Sequence, residues 1–459
     1  MAMKLRRMLG VDGAVAYTFL ARLVNILGST GTVLLIVRFL SPVEQGYYYT
    51  LLSLVSLQMV FELGFSFVIQ QLAAHECIHL EMIAGGSITG DRVAHARLAS
   101  TLQLSLRWYT LAAAAMGLIL SPLGIFFFAR HTASGIAQVA WLGPWVTAII
   151  ASAVGLWCMP FYSFLEGCGH VRAAAAMRLR QSIAGSVLAW AALLLHHGLY
   201  APALVIVGYI GIGLFFLCSH RRLLEGLLRH PVEEAAICWN REIWPFQWRI
   251  AVSWLCSYFT MQVMIPILFA LRGPVEAGQM GMSLSVAGFI SVLALSWSST
   301  KTTPFGSMIA RREFQQLDRL FLRSLSQSLV VFGMIAICAC GVAALLPALA
   351  PRLAARMVMP QLFALLTLAA GCNCAVQSMA ILLRSFKCEP FLMQSIVVAT
   401  LTLALSTLTT ARWGNTGAAF SYFFATSVIG MPYAGAIFVH ARRGYLSKIA
   451  LVLQPDVSG

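Results

Sequence analysis

Apolar stretches long enough to cross a bilayer dominate this sequence of 459 residues. About 20 consecutive apolar residues span the hydrocarbon as an α-helix, which satisfies all of its backbone groups internally. Hydrophobic residues make up 59% of the chain and charged residues 10%, and the mean hydropathy is +0.82. No soluble globular domain has such a composition. The sequence therefore predicts an all-α polytopic membrane protein with about twelve transmembrane helices, at 14–39, 46–73, 102–129, 141–165, 174–196, 201–219, 248–271, 280–303, 323–346, 361–383, 391–410 and 418–440.

The charges between these segments predict the orientation of the chain. Its net charge is +15, from 31 Lys and Arg against 16 Asp and Glu. If the N-terminus is cytoplasmic, most of the basic residues fall in cytoplasmic loops, as the positive-inside rule requires. Both termini are then cytoplasmic, and the basic excess is a topology signal with affinity for anionic membrane lipids. Because this explains the charge, we expect no nucleic-acid partner.

The chain is also predicted to consist of two related halves. The segment 222–247 is its most polar connection and separates six apolar segments from six. PVEQG at 42–46 follows the first segment, and PVEAG at 274–278 follows the seventh, an offset of 232 residues. Such repeats are a known transporter architecture, with the substrate site near the repeat interface. We therefore predict two six-helix bundles related by a pseudo-two-fold repeat, at 1–221 and 248–441, a cytoplasmic linker at 222–247 and a cytoplasmic tail at 442–459.

Polar residues interrupt the second apolar segment at four-residue intervals. Each step of four advances only about 40° around a continuous helix, so these residues would share one face. A carboxylate near mid-membrane is costly unless it faces protein or water, which makes it a candidate for a functional site. The residues 232 positions later in the chain are all uncharged, so a polar face that carries a charge is predicted for the first half alone. The face comprises Gln58, Glu62, Ser66 and Gln70, and its counterparts are Ile290, Ala294, Ser298 and Thr302.

A second intramembrane charge lies in the first segment, at Arg22. Arg22 and Asn25 share one helix face with Ser29 and Thr32. The long side chain of Arg22 reaches the depth predicted for Glu62. We therefore expect these two faces to meet and Arg22 and Glu62 to interact or to share a cavity. Two alternatives stay open: a purely structural ion pair between the first two helices, and an Arg22 side chain that snorkels to the cytoplasmic surface.

No metal, cofactor or catalytic group is expected. Residues 75–79 spell HECIH, which matches the HExxH signature of zinc metalloproteases. The motif lies at the predicted cytoplasmic end of the second helix, where interfacial His and Glu are ordinary, and no third-ligand motif follows. The 11 cysteines form no CxxC pair and are interpreted as small core side chains. The sequence also lacks a phosphate-binding glycine loop and a plausible nucleophile–base pair.

Four stretches resemble the polysaccharide flippases of the multidrug/oligosaccharidyl-lipid/polysaccharide exporter superfamily. They are RFLSPVEQGYYYTLLSL (38–54), FELGFSFVIQQLAAHE (61–76), FLEGCGHVRAAAAMRLRQS (164–182) and WPFQWRIAVSWLCSYF (244–259). The resemblance implies two six-helix bundles around a central cavity that works by alternating access. It also implies intramembrane arginines that bind a lipid pyrophosphate, a role for which Arg22 is the matching position. Arg178, Arg180 and Arg249, at cytoplasmic helix starts, are the candidates for a cytoplasmic entrance.

The function expected from this resemblance is translocation of a lipid-linked glycan. The substrate would be a polyprenyl-pyrophosphate-linked O-antigen or other surface polysaccharide unit, moved from the inner to the outer leaflet of the bacterial inner membrane. Membrane lipids and a polysaccharide polymerase machinery are the further expected partners. One alternative is a cation-coupled small-molecule or drug exporter of the same fold. Another is a membrane glycan polymerase or ligase, which generally needs a larger exported loop than any predicted here.

Overall fold

The computed structural model describes residues 13–78, 80–82, 88–132, 139–230, 244–386 and 390–452. It confirms the all-α membrane fold of two helical bundles, because each of the twelve predicted segments is largely helical. The chain divides into two compact units, residues 1–254 and 255–459. The division lies within the helix Trp244–Met261.

The first unit contains ten helices in its described residues and one short hairpin. The helices are α1 (Gly13–Phe39), α2 (Pro42–Val55), α3 (Gln58–Glu62), α4 (Phe65–Cys77), α5 (Arg92–Thr132), α6 (Leu142–Gly167), α7 (Val171–Leu194), α8 (Ala201–Ser219), α9 (Arg221–Leu228) and α10 (Trp244–Met261). A 3₁₀ turn at Gly198–Tyr200 precedes α8. Strands β1 (Leu80–Met82) and β2 (Ile88–Gly90) pair antiparallel, a feature that the hydropathy pattern did not predict.

The second unit follows the same order of long helices. They are α11 (Met264–Arg272), α12 (Pro274–Ser299), α13 (Thr302–Ala310), α14 (Phe314–Leu349), α15 (Pro351–Ala354), α16 (Pro360–Ser385), α17 (Leu392–Trp413), α18 (Asn415–Phe423) and α19 (Met431–Val452). A π-helical segment, Phe424–Gly430, joins α18 to α19. The core of this unit is aromatic and aliphatic, and it includes Phe305, Leu317, Phe321, Leu382 and Phe438.

Length and composition agree with a polytopic membrane protein. In the described part of the chain, ten helical stretches are long and apolar enough to span a membrane, and one further span is formed by a bent pair, Pro42–Glu62 with Phe65–Cys77. The helix Val171–Leu194 is not among them, since it carries three arginines near its start. Its 24 residues still extend about 36 Å at 1.5 Å per residue.

The repeated PVE motif begins a helix in each half. Pro42 and Pro274 occupy the first turn of their helices, where the missing backbone N–H costs nothing. In the first half a capping box completes the start: Ser41 Oγ accepts from Glu44 N at 3.2 Å, and Ser41 N donates to Glu44 Oε2 at 2.7 Å. The motif is therefore a helix-start signal that fixes the register of the second long helix in each half.

Small residues determine how the first helix packs. α1 lies along α7, and a Cβ atom added at Gly28 would come within 2.2 Å of Ser186 Oγ. The indole of Trp190 covers Gly31, and Trp190 Nε1 donates to Thr32 Oγ1 at 3.1 Å. Glycines let helices approach closely in a membrane, where packing rather than hydrophobicity drives association. The contact directs one face of the first helix toward α7.

Candidate functional site

The second apolar segment is not one continuous helix. Leu63 and Gly64 both adopt left-handed backbone conformations, with φ of 53° and 65°, and they separate α3 from α4. The two parts of the span bend by 42° at this point. The uninterrupted helix assumed for 46–73 is therefore wrong, because Gly64 permits a conformation that a helix interior does not use. We call Leu63–Gly64 the helix break.

Glu62 and Ser66 meet across the helix break. The Glu62 side chain is buried, with 6% of its surface exposed, and its Oε1 accepts a hydrogen bond from Ser66 Oγ at 2.5 Å. The carboxylate thus lies beside the first turn of α4, where unpaired N–H groups and the helix dipole favour negative charge. Sequence spacing anticipated this pair of residues, although through a continuous helix that does not exist.

Aromatic side chains from two helices enclose the pair. Tyr109 on α5 is fully buried near Glu62 and Ser66, and its hydroxyl has no hydrogen-bond partner among the described residues. Its ring stacks on Phe65, with 6.0 Å between the ring centroids. We call Glu62, Ser66 and Tyr109 the carboxylate site. Tyr109 was missed at the sequence level because nothing in its local pattern distinguishes it from an ordinary core tyrosine.

A glutamine from a distant part of the chain completes the helix break. Gln247 is 1% exposed, and its Nε2 donates to the carbonyl of Leu63 at 2.9 Å. This carbonyl lies where the helical ladder ends, so it needs an external donor. The sequence signal was available, since Gln247 is a polar residue at the start of an apolar helix, but its partner lies 184 residues earlier.

Ser66, and not Arg22, is the described partner of the Glu62 carboxyl group. The hydrogen bond to the Glu62 carboxyl group comes from Ser66. None of the described ion pairs joins Arg22 to Glu62. The close packing of Gly28 and Gly31 holds α1 against α7, whereas α3 and α4 pack against α5 and α6. The direct contact expected between Arg22 and Glu62 therefore stays a prediction. Arg22 is half-buried and Asn25 is exposed, and the proposal that they share a cavity with Glu62 stays a prediction.

The outer members of the predicted polar face occupy separate helices. Gln58 begins α3 and Gln70 lies in the second turn of α4, and both are half-buried. The backbone carbonyl of Gln70 lies against Gly167, where an added Cβ would approach it to 2.5 Å. The four residues therefore do not form one straight face, and only Glu62 and Ser66 are in hydrogen-bond contact.

The three arginines predicted for an entrance differ in their surroundings. Arg178 forms a bidentate ion pair with Glu166, in which Nη1 donates to Oε1 at 3.0 Å. Its charge is therefore balanced within the first unit. Arg180 and Arg249 are exposed, and the Arg249 guanidinium lies 5.6 Å from the centre of the Trp248 ring. An entrance built from these residues would rely on Arg180 and Arg249.

The HExxH residues make an ion pair rather than a ligand set. Glu76 is buried, and its Oε1 accepts from Arg97 Nε at 2.9 Å. His79 lies outside the described residues. Within the described residues, no group of three His, Cys, Asp or Glu side chains could hold a metal ion.

The second unit has a neutral hydrogen-bonded cluster where the first has its carboxylate. Ile290, Ala294 and Ser298 are all buried. Ser298 Oγ lies 3.0 Å from Ser328 Oγ and 3.1 Å from Ser378 Oγ. We call Ser298, Ser328 and Ser378 the serine cluster. Small hydroxyls of this kind join transmembrane helices without introducing charge.

Solved transporters share this fold, although no family model and no curated protein matches the chain. An inward-facing multidrug resistance transporter of the MATE family of the MOP superfamily aligns with a TM-score of 0.60 and 13% identity, over 94% of this chain and 95% of that one. A MOP superfamily transporter from Pyrococcus furiosus, described as having a binding pocket of reverse polarity, aligns with a TM-score of 0.57 and 12% identity, over 95% and 97%. The lipid II flippase MurJ, in an inward closed conformation, aligns with a TM-score of 0.55 and 12% identity, over 97% and 93%. The chain therefore has the fold of MOP superfamily transporters.

Proposed function

We propose that the protein is a flippase that moves a polyprenyl-pyrophosphate-linked oligosaccharide from the inner to the outer leaflet by alternating access. The observation that carries the proposal is the engagement of the acidic side chains. Glu62 binds Ser66, and Glu76 binds Arg97. At the ends of the spans, Glu166 pairs with Arg178 and Asp318 with Arg442. A transporter of cationic molecules needs acidic groups that its substrate can reach, and these acids already have partners.

An arginine within a span points to an anionic substrate. Arg22 lies in the apolar helical stretch Leu20–Phe39. An arginine presents several N–H donors in a planar fork that matches phosphate geometry. We assign Arg22 to the lipid pyrophosphate, with Arg180 and Arg249 as the cations of the cytoplasmic entrance. Asn25, Gln58 and Gln70 would donate to phosphate or sugar oxygens.

The membrane potential would favour export of such a substrate. A pyrophosphate headgroup cannot cross hydrocarbon unaided, whereas its polyprenyl tail can remain in lipid. With the cytoplasm negative, each negative charge that moves outward gains about 2.3 kcal/mol per 100 mV. Export is therefore electrically downhill, and no coupled ion is required.

The proposed setting is the bacterial inner membrane, with both termini in the cytoplasm. The positive-inside distribution of Lys and Arg supports this orientation. The partners proposed are the lipid-linked glycan, anionic membrane lipids and the polymerase that would use the exported unit.

A flipping assay in proteoliposomes tests the proposal. A fluorescent pyrophosphate-linked oligosaccharide is placed in the donor leaflet, and its arrival in the other leaflet is followed by chemical quenching. We expect Arg22→Ala to reduce the initial rate at least about tenfold, equivalent to about 1.4 kcal/mol in the barrier. Arg22→Lys should retain part of the rate. The matched control is Arg38→Ala, which removes an exposed arginine at the other end of the same helix. An Arg22→Ala protein as fast as the native one would contradict the assignment.

One observation favours a second candidate, a cation-coupled small-molecule exporter. Glu62 is a buried carboxylate in a span, and such groups serve as ion or proton sites in transporters. In the same vesicles, this function predicts a proton-gradient-dependent export of a fluorescent organic cation that Glu62→Gln abolishes. Cation export without glycan flipping would replace the first proposal by the second.

A further inference from the structure

A short amphipathic helix lies at the end of the six-helix series of the first unit. This helix, Arg221–Leu228, follows the span that ends at Ser219, and we call it the linker helix because it precedes the passage to Trp244. Its three leucines, Leu223, Leu224 and Leu227, are buried, while its arginines Arg221 and Arg222 are exposed. The linker helix is therefore docked on the first unit through one apolar face.

Each end of the linker helix carries a histidine that contacts a second histidine. His220, immediately before the helix, lies edge-to-face with His170, with 4.8 Å between the ring centroids. His230, just after the helix, makes the same kind of contact with His95 at 4.4 Å. His170 belongs to the turn between α6 and α7, and His95 to the first turns of α5. Two separate imidazole pairs thus hold the two ends of one eight-residue helix.

A neutral side chain anchors the same helix independently of pH. Gln103 Nε2 lies 3.2 Å from the carbonyls of Leu227 and Leu228 and 2.8 Å from that of His230. These carbonyls belong to the C-terminal end of the helix, where the intrahelical ladder offers no donor. Docking therefore combines a contact that protonation leaves unchanged with two contacts that protonation alters.

We propose that the pairs His170–His220 and His95–His230 form a proton-sensitive latch that holds the linker helix on the first unit. Two neutral imidazoles pack well edge-to-face, because the positive ring edge of one meets the negative face of the other. Two imidazolium rings at the same separation repel each other. Protonation of both members of a pair therefore opposes docking at that end of the helix.

The sign of the pH dependence follows from the pKa of His170. Its pKa is lowered from the usual value by burial and, second, by the charge of His220. A released histidine has a pKa of about 6.5, so the released state binds protons more readily than the docked state. The latch is fully effective above about pH 6.5 and weakens as the pH falls below this value.

The charged groups around the two pairs leave this sign unchanged. The nearby acids from the elements that surround the latch already have partners: Glu166 pairs with Arg178, Glu76 pairs with Arg97, and Asp91 accepts from the backbone N of Val93. Among the described residues, the remaining charges on these elements are mostly positive and oppose protonation; they are Arg92, Arg172, Arg221, Arg222 and Arg229, with Glu225 as the exposed acid of the linker helix.

Hydrogen–deuterium exchange of the full-length protein in nanodiscs tests the latch. The peptide 221–230 is compared at pH 8.0 and 5.5, after correction for the intrinsic pH dependence of exchange. We expect its protection to fall at least about tenfold at pH 5.5, since one net proton taken up on release changes the equilibrium tenfold per pH unit. Protection of the helix 171–194 should change less than twofold.

A double variant separates protonation from packing. His95→Phe with His170→Phe keeps an aromatic ring at both contacts but removes one titrating group from each pair, so the linker helix should stay protected at both pH values. Gln103→Ala should raise exchange by a similar factor at both pH values. His197→Phe, at an exposed histidine far along the chain from both pairs, is the matched control and should behave as the native protein. The latch is refuted if native protection does not change with pH, or if the loss at pH 5.5 persists undiminished in the double variant.

Discussion

Ser66 and its counterpart Ser298 make different hydrogen bonds in the two halves of the chain. Ser66 in the first half donates to the buried Glu62 carboxylate, whereas Ser298, 232 positions later, joins Ser328 and Ser378. The first arrangement places a carboxyl group in a span, beside the bend of the helix. The second ties three helices together without charge. The two halves therefore share an arrangement of helices. At this position the first half has a carboxyl group that could bind a ligand, whereas the second has hydroxyl groups that join helices.

The helix starts differ in a similar manner. Glu44 closes a capping box on its own helix, but Glu276 reaches across to the last span, where its Oε2 accepts from Asn415 N at 2.9 Å. Arg272, the counterpart of Leu40, donates through Nη2 to the carbonyl of Arg412 at 2.6 Å. Leu40 instead packs on Gly198. The glutamate of the motif thus contacts its own helix in the first half and a different helix in the second.

The largest expected difference concerns transport. Glu62→Ala should reduce the initial flipping rate at least about tenfold, or about 1.4 kcal/mol, because it removes the buried carboxyl group of the first half. Ser298→Ala should retain most of the rate, since two hydroxyls of the serine cluster remain. Both variants are compared by the proteoliposome assay at equal amounts of monodisperse protein. If the flipping rate falls equally in the two variants, the proposed difference between the two halves is contradicted.

The helix break should depend strongly on Gln247. Gln247→Leu leaves the Leu63 carbonyl without its donor, and an unsatisfied buried acceptor costs about 1–3 kcal/mol. We expect a lower thermal unfolding midpoint for this variant. Gln316→Leu, at an exposed position of the second unit, serves as the control and should change the midpoint little. A Gln247→Leu protein of native stability would mean that the break does not need this hydrogen bond.

Alanine should have opposite effects at two glycines of the equivalent helices. Gly64→Ala forces a side chain into the left-handed region and should cost about 1–2 kcal/mol. Gly288→Ala lies within the unbroken Pro274–Ser299, where an added Cβ meets no atom within 4 Å. This second change should stabilise the protein by about 0.5–1 kcal/mol, because glycine weakens a helix interior. Thermal midpoints of the two variants measure both signs, and a stabilising Gly64→Ala would exclude the left-handed break.

The smallest expected difference is between the two capping glutamates. Glu276→Gln keeps an acceptor for Asn415 N but loses its charge, and it should cost about 1 kcal/mol. Glu44→Gln retains the geometry of the capping box and should cost only a few tenths of a kcal/mol. Urea or thermal titration of both purified variants provides the measurement. A larger effect at Glu44 would indicate that the local cap, not the cross-link, dominates.

The sequence predicted the membrane fold well because the bilayer imposes one simple requirement. The helix at 201–219 agrees with its predicted bounds, and Pro42 and Pro274 both begin helices. The helix break escaped prediction because one glycine in an apolar run is compatible with a continuous helix. The contacts of Gln247 with Leu63 and of Tyr109 with Phe65 depend on packing between distant segments, which hydropathy does not encode.

The pairing of the first helix shows the same limit. The spacing of Arg22, Asn25 and Thr32 places them on one face of α1, but spacing alone does not identify the neighbouring helix. Gly28 and Gly31 select α7 because only small residues allow such a close approach. For α1, the small residues therefore predict the neighbouring helix better than the polar residues do.

The π-helical segment at Phe424–Gly430 explains an unusual spacing in the last span. One row of buried residues recurs there at intervals of four: Ala418, Tyr422, Thr426, Gly430, Ala434 and Phe438. In an α-helix such a row would drift by about 40° per step, but the wider π turn offsets part of that drift. The segment therefore accommodates one residue more than an α-helix of the same rise. A natural length variant lacking one residue within 424–430 would convert the segment to α-helix and leave Ala434 and Phe438 facing the same core.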